Sequence, residues 1–396
     1  MSRDTFCPLL FQHLATHPYG GVTHCCIADH RNQASNSYDL VDGSKKIYNV
    51  NRDDLWSLYN SESFRRARQQ SLQGEIPPAC SMCFENEDRG LHSKRLEEIK
   101  NYPDFTIDVA NEITESDGTI QDPQFEFVEL RLGNTCNVQC RTCNPASSSK
   151  WKRDYKELEH KLDFITTYGD LGGFRWPEKE EFWDQLYERT RNVKTFYING
   201  GEPMLIKQHL KFLERLIDDG RTDITLWYNI NMTLMSEDVI DLWKNFSRVK
   251  VSASIDDLEK RNHYIRYPSE WNTVIKNLDR LQDEYWIHLD VTQTVSFMNY
   301  SNVGTFWNYM KRRGLFVHHN LVTDPGFLSP RVLPREIVEQ AKLNNMPEHI
   351  QKQLKEWAGS EQDDRGWRQA MSYTRAVDKQ RNQNIKDYLK EFRGYF

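Results

Sequence analysis

The chain has 396 residues, 38% hydrophobic and 12% aromatic. That supports a substantial core and suggests two units rather than one average domain. A formal charge of -6 and a pI near 6.1 leave no basic footprint for nucleic acid. No apolar run approaches the roughly 18 residues needed to span a bilayer, so no membrane association is expected. The start, Met1-Ser2-Arg3-Asp4-Thr5-Phe6-Cys7, lacks the long apolar core of a signal peptide. The expected compartment is therefore the cytoplasm, where thiols stay reduced and free to bind metal.

Residues 1–100 read as one unit, poor in strand patterns and rich in cysteine. Residues 53–72 read as a helix, with Leu55, Trp56, Tyr59, Phe64 and Ala67 on about one face. Gly74-Glu75-Ile76-Pro77-Pro78 ends it and leads into Cys80-x2-Cys83. Residues 101–123 are polar and acidic, with Asp117-Gly118 and Pro123 as turn signals. They are expected to form a connection holding a short hairpin.

From Phe125 strands and helices alternate. Strands are expected at 125–132, 194–199, 224–231, 248–256, 287–296 and 316–321. Helices are expected near 144–159, 205–219, 236–246, 270–284 and 301–312. Serial β-α units imply a parallel sheet. The strands are not uniformly apolar. In 248–256, Val249, Val251, Ala253 and Ile255 share one face, and Lys250, Ser252, Ser254 and Asp256 the other. In 287–296, Gln293 alone interrupts the apolar face. Parallel strands with one polar face suit a barrel with a wet interior. The fold class is thus α/β: a partial (β/α)6 TIM-like barrel over 124–332, preceded by a small cysteine-rich domain and followed by a helical extension over 333–396. On the last strand, alternation gives His318 and Asn320 one face, with the inward face left open. The charged end from Arg375 onward reads as a solvated helix.

All eight cysteines lie within the first 143 residues. A disulfide framework would not concentrate them so, which favours metal or cluster ligation. Cys136, Cys140 and Cys143 form C-x3-C-x2-C directly after the first barrel strand. Three thiolates hold three irons of a cubic four-iron cluster and leave the fourth open to another ligand. Downstream, Asn199-Gly200-Gly201-Glu202-Pro203 follows the second strand. Its glycines allow close backbone approach to a ligand, and Glu202 can pair with an ammonium.

Together these motifs resemble the radical S-adenosylmethionine (SAM) superfamily. The resemblance implies a [4Fe–4S] cluster on Cys136, Cys140 and Cys143, whose open iron is chelated by SAM. Reductive cleavage of SAM then yields a 5′-deoxyadenosyl radical that abstracts hydrogen from a substrate. Gly200, Gly201, Glu202 and Pro203 correspond to the turn that receives the methionine amino group. Asn231 and Thr233, at the end of the third strand, lie near the expected cofactor rim. Ser254 and Asp256 resemble the region binding the cofactor's carboxylate and ribose, and Arg266 pairs with that carboxylate in this reading. Thr142 stands where the family often has an aromatic residue near the adenine, leaving the backbone, Asn144 or Pro145 for that contact. No catalytic acid or base can be named.

The N-terminal cysteines resemble the twitch auxiliary-cluster module, a shorter relative of the SPASM domain. Cys7 and Cys25 fit C-x(9–15)-G-x4-C through Gly20, and Cys80 and Cys83 complete four ligands for a second [4Fe–4S] cluster. Cys26 has the same spacing from Gly21 and can trade roles with Cys25. Four thiolates also suit zinc, and spacing does not separate the two. The resemblance implies a substrate that is a peptide, a protein side chain or a small sugar or cyclitol. It also implies a flavodoxin- or ferredoxin-type electron donor.

Overall fold

The structure, a computed structural model, describes residues 4–28, 36–168, 173–359 and 363–396. Among these the strands are β1 (His13–Thr16), β2 (Val22–Thr23), β3 (Tyr38–Val41), β4 (Ser44–Ile47), β5 (Phe127–Arg131), β6 (Thr195–Asn199), β7 (Thr225–Ile230), β8 (Arg248–Ser254), β9 (Ile287–Val295) and β10 (Val317–Leu321). Eight form one sheet in the order β10-β9-β8-β7-β6-β5-β1-β2, while β3 and β4 make a separate hairpin. The six expected strands occupy β5 to β10 in sequential order, and helices separate them, as in a partial TIM-like barrel.

The chain divides into two compact units. The first comprises Met1–Asn134, Leu171–Trp227 and Leu242–Ser247. Here β1 runs parallel beside β5, with His13 opposite Phe127 and Ala15 opposite Glu129, and β2 returns antiparallel on β1. The cysteine-rich segment therefore supplies strands that its sequence did not signal. All four residues of β1 are buried, so the period-two alternation that marks a half-exposed strand is missing. In β6 the residues alternate: Phe196 and Ile198 are buried, while Thr195, Tyr197 and Asn199 are partly exposed. The helix Lys207–Asp218 buries His209, Phe212, Leu213 and Leu216, the 3.6-residue stripe of a helix laid on a sheet.

Two expectations change in this unit. The helix expected over 53–72 is two, Leu55–Tyr59 and Glu62–Leu72. Asn60 breaks it: its Oδ1 accepts from Ile120 N at 3.0 Å and Arg68 Nη1 at 3.1 Å, and its Nδ2 donates to Ile120 O at 2.9 Å. The connection 101–123 holds the helix Ile107–Ile113 in place of a hairpin, capped by Thr106 Oγ1 accepting from Val109 N.

The second unit comprises Thr135–Asp170, Tyr228–Asp241 and Arg248–Phe396. Its strands β8, β9 and β10 are parallel neighbours. Gln293, the polar exception on β9, is fully buried and satisfied: its Nε2 donates to Asp256 O at 2.8 Å, and His319 Nδ1 lies 2.9 Å from its Oε1. On β10, His318 and Asn320 are exposed and His319 is half-buried, which settles the face left open by alternation. The helix expected from 144 begins only at Trp151. The C-terminal helix Asp364–Arg381 is not simply solvated. It buries Trp367, Ala370, Tyr373, Thr374, Val377 and Asp378. Among the described residues, no helix is long and apolar enough to cross a membrane.

Candidate functional site: two thiol sets and a glycine turn

In the second unit, Cys136 and Cys140 are buried together with Val138, and Cys143 packs against them. The loop that carries them has no regular structure, so its backbone groups need partners from elsewhere. Gln139 N donates to Tyr267 O at 2.5 Å, and Arg141 N to Ile265 O at 2.7 Å. Ser148 Oγ donates to Val138 O at 2.7 Å, and Trp151 Nε1 to Cys140 O at 2.9 Å. From the C-terminal helix, Tyr373 Oη donates to Arg141 O at 3.0 Å and Arg381 Nη2 to Gln139 O at 2.8 Å.

Arg141, between the second and third cysteines, is fully buried. Its Nη2 donates to Asp378 Oδ1 at 2.5 Å and Gln383 Oε1 at 2.8 Å, and its Nε to Tyr264 O at 2.9 Å. Its guanidinium lies 3.7 Å from the Tyr264 ring centroid. The sequence reading missed Arg141, Trp151, Tyr373, Asp378 and Arg381. Arg141 had a signal in its place within the cysteine motif. Its partners lie 123 to 242 residues away and had none.

Close to the thiols, Asp256 is fully buried. Its Oδ1 accepts from Thr294 N at 2.8 Å and its Oδ2 from Arg266 Nη1 at 3.1 Å. Burial works against the charge on Arg266, but Cys140, Asp256 and Cys143 outweigh it and raise the Arg266 pKa. The Nε of Arg266 is buried with no partner. A hydrogen bond with Cys143 lowers the Cys140 thiol to about 7, and raises Cys143. Asn231 is also here: its Nδ2 lies 4.0 Å from Cys136 Sγ and donates to Asn137 Oδ1 at 2.8 Å. Thr233 closes the ring, donating from Oγ1 to Asn231 Oδ1 at 2.5 Å and accepting from Asn137 Nδ2 at 2.7 Å. Asn231, Asp256 and Arg266 thus gather with the three cysteines. Ser254 is half-exposed at the end of β8, and Asn144 Oδ1 is occupied by Ala146 N at 2.9 Å.

In the first unit, Gly200 and Gly201 adopt φ +84° and +52°. A Cβ on Gly200 would meet Arg131 C at 2.7 Å and Leu132 N at 2.8 Å, so only glycine fits. Glu202 is buried, its Oε1 accepting from Met204 N at 3.2 Å, and Pro203 opens the turn Pro203–Leu205.

The same unit brings Cys7, Cys25, Cys80 and Cys83 into electrostatic range of one another. Burial raises Cys7 to about 12, with Cys83 adding to it. Burial also raises Cys80, and Cys7, Cys25 and Cys83 add to it. Cys25 is raised by burial, then by Cys7, with Cys83 contributing. Cys26 differs: after burial, Glu129 and Cys25 raise it while Lys94 and Arg131 lower it. None of the eight cysteines is joined in a disulfide. Among the described residues, no group of three or more His, Cys, Asp or Glu converges as a site for a single metal ion.

Residues 130–312 match the radical SAM superfamily. Those residues carry a radical SAM domain. Residues 7–84 match the SPASM iron–sulfur cluster-binding domain, which here precedes the radical SAM domain. No curated protein matches it. Among solved structures it is similar to native anSMEcpe with bound AdoMet, at 18% identity and a TM-score of 0.38, over 50% of this chain and 52% of that one. It therefore spans about half the length of anSMEcpe. It is also similar to SuiB of Streptococcus suis bound to SAM, at 12% identity and a TM-score of 0.36, over 78% and 67% of the two chains.

A radical SAM domain takes a [4Fe–4S] cluster and SAM, and a SPASM domain an auxiliary cluster. The donor sets fit both. Grouped buried thiols repel one another once ionised, so a cationic iron centre supplies the charge that stabilises them as thiolates.

Proposed function

We propose that the protein is an enzyme that uses radical SAM chemistry on a peptide or protein side chain, with an auxiliary cluster in electron transfer. The observation that carries this is the C-x3-C-x2-C loop, three thiols grouped on a loop whose carbonyls from Val138 to Arg141 each accept a hydrogen bond, within a matched radical SAM domain. When bound, the cluster and SAM supply one-electron cleavage of a sulfonium C–S bond and hydrogen-atom abstraction.

In this reading Cys136, Cys140 and Cys143 hold the cluster as thiolates. Gly200 and Gly201 let backbone come close to SAM. Glu202 takes its ammonium, Arg266 its carboxylate through the unpartnered Nε, and Asp256 keeps Arg266 oriented. Asn231 orients Asn137 beside Cys136, and Ser254 offers a hydroxyl at the cofactor rim. Cys7, Cys25, Cys80 and Cys83 hold the auxiliary [4Fe–4S] cluster. Cys25 is preferred to Cys26 because its electrostatic neighbours include Cys7 and Cys83. Residues 1–100 form the auxiliary module, 101–123 the connection, 124–332 the barrel domain and 333–396 the extension that steadies the cysteine loop. A flavodoxin- or ferredoxin-type protein supplies the electron. The peptide preference follows from the SPASM match, since such modules serve peptide-modifying enzymes among others.

The test is anaerobic reconstitution with iron and sulfide, followed by dithionite and SAM. Formation of 5′-deoxyadenosine by the wild type, abolished in Cys140→Ala, is the expected result. No 5′-deoxyadenosine, with clusters assembled and peptide present, would turn the reading toward a non-catalytic iron–sulfur protein.

A further inference from the structure

On the inner, polar face of β5 and β6 in the first unit, one carboxylate is only half satisfied. Glu129 is buried, with 1% of its surface exposed. Its Oε1 accepts from Arg131 Nε at 3.0 Å and from Asn199 Nδ2 at 3.4 Å. Its Oε2 is buried and has no partner. An unmet buried carboxylate oxygen is costly, and a charged donor satisfies it best.

The surroundings suit a cation. Tyr197 sits opposite Glu129 in register on β6, and its ring centroid lies 4.5 Å from that of Trp227. Both rings are half-exposed on this face. Aromatic faces beside a carboxylate attract ammonium and guanidinium groups. On the other side of Glu129, β1 pairs Ala15 with it in register, a residue with no polar side-chain atom to offer Oε2. Arg131 is already committed: its Nη2 donates to Cys26 O at 3.4 Å as well as its Nε to Glu129. Cys26 neighbours Cys25, so the Glu129–Arg131 pair adjoins the auxiliary thiols.

We propose that Glu129 is a specificity-determining residue that anchors a cationic side chain of the substrate, an ammonium or guanidinium group, through Oε2 beside the Tyr197 and Trp227 rings. The inference rests on the peptide-substrate reading above and names the substrate's recognition element. Glu129 and Arg131 pair with each other, yet the pairing uses one carboxylate oxygen only.

The experiment measures binding without turnover. Reconstituted full-length protein, oxygen-free and without reductant, is titrated with Gly-Gly-X-Gly-Gly peptides, where X is Lys, Arg, norleucine or Glu, followed by tryptophan fluorescence. The Lys or Arg peptide should bind about tenfold tighter than the norleucine peptide. Glu129→Gln should abolish the difference, while Glu129→Asp should keep part of it. The comparison among probes on the wild type needs no variant to fold. Equal binding of the Lys and norleucine peptides, no binding by any of them, or a preference that survives Glu129→Gln would overturn the proposal. Because SAM cleavage is not required, failure here leaves the radical chemistry standing. Failure to form 5′-deoxyadenosine likewise leaves a measured cation preference standing.

Discussion

Gly200 shows how one residue fixes a site. Its φ of +84° lies in the left-handed region, and a Cβ there would press into the Arg131 backbone, which cannot yield as a flexible side chain would. Gly200→Ala should destabilise the protein by about 1–3 kcal/mol, the usual range for strained backbone. Thermal melting checks this, and an unchanged midpoint would refute it. The motif that placed Gly200 was legible because its chemistry is local: glycines next to a carboxylate, after a strand. Arg141 was equally visible in the sequence, but its role was not. Nothing near it in the chain announces Asp378, Tyr264 and Gln383 as its partners.

Among the elements, the strands from β5 to β10 were the most readable, since β6, β7 and most of β9 alternate buried with partly exposed residues. The wholly buried β1 gave no such alternation and went unseen. The helix Asp364–Arg381 was read as helical, but its inward side was not, because charged residues flank its buried stripe. Its Asp378 bonds Arg141 Nη2, Tyr264 Oη at 2.9 Å and Ile385 N at 2.8 Å, so it holds the cysteine loop and the chain after the helix together. Removing a buried partner leaves the other charge uncompensated, at a cost of about 3–5 kcal/mol. Asp378→Ala should therefore raise amide exchange in residues 136–143 and 264–267 and leave β5 and β6 unchanged. Uniform exchange across all these segments would contradict the clamp.

At the scale of the whole molecule, three histidines tie stability to pH. His13, His209 and His319 are each lowered to about 4 from 6.5, with burial as the leading cause. Well above pH 6.5 all three are neutral whether folded or unfolded. As pH falls from 6.5 toward 4, the unfolded chain takes up protons that the folded chain refuses, so stability declines across that window. The loss approaches about 3 kcal/mol per histidine. Urea unfolding at pH 7, 6, 5 and 4.5 should show this decline, and His209→Gln should make it shallower. A flat profile would contradict it.

The central claim is that one chain holds two thiol sets of different kinds, three cysteines that leave an iron open and four that close a cluster. Iron analysis with electron paramagnetic resonance of the reduced, reconstituted protein tests it most directly, with and without SAM. The account predicts about eight irons per chain. It predicts one signal that shifts on SAM addition and is lost in the Cys136, Cys140 and Cys143 alanine variants. The second signal should be insensitive to SAM, absent in Cys25→Ala and retained in Cys26→Ala. About four irons with one zinc, or two signals that both ignore SAM, would contradict the account.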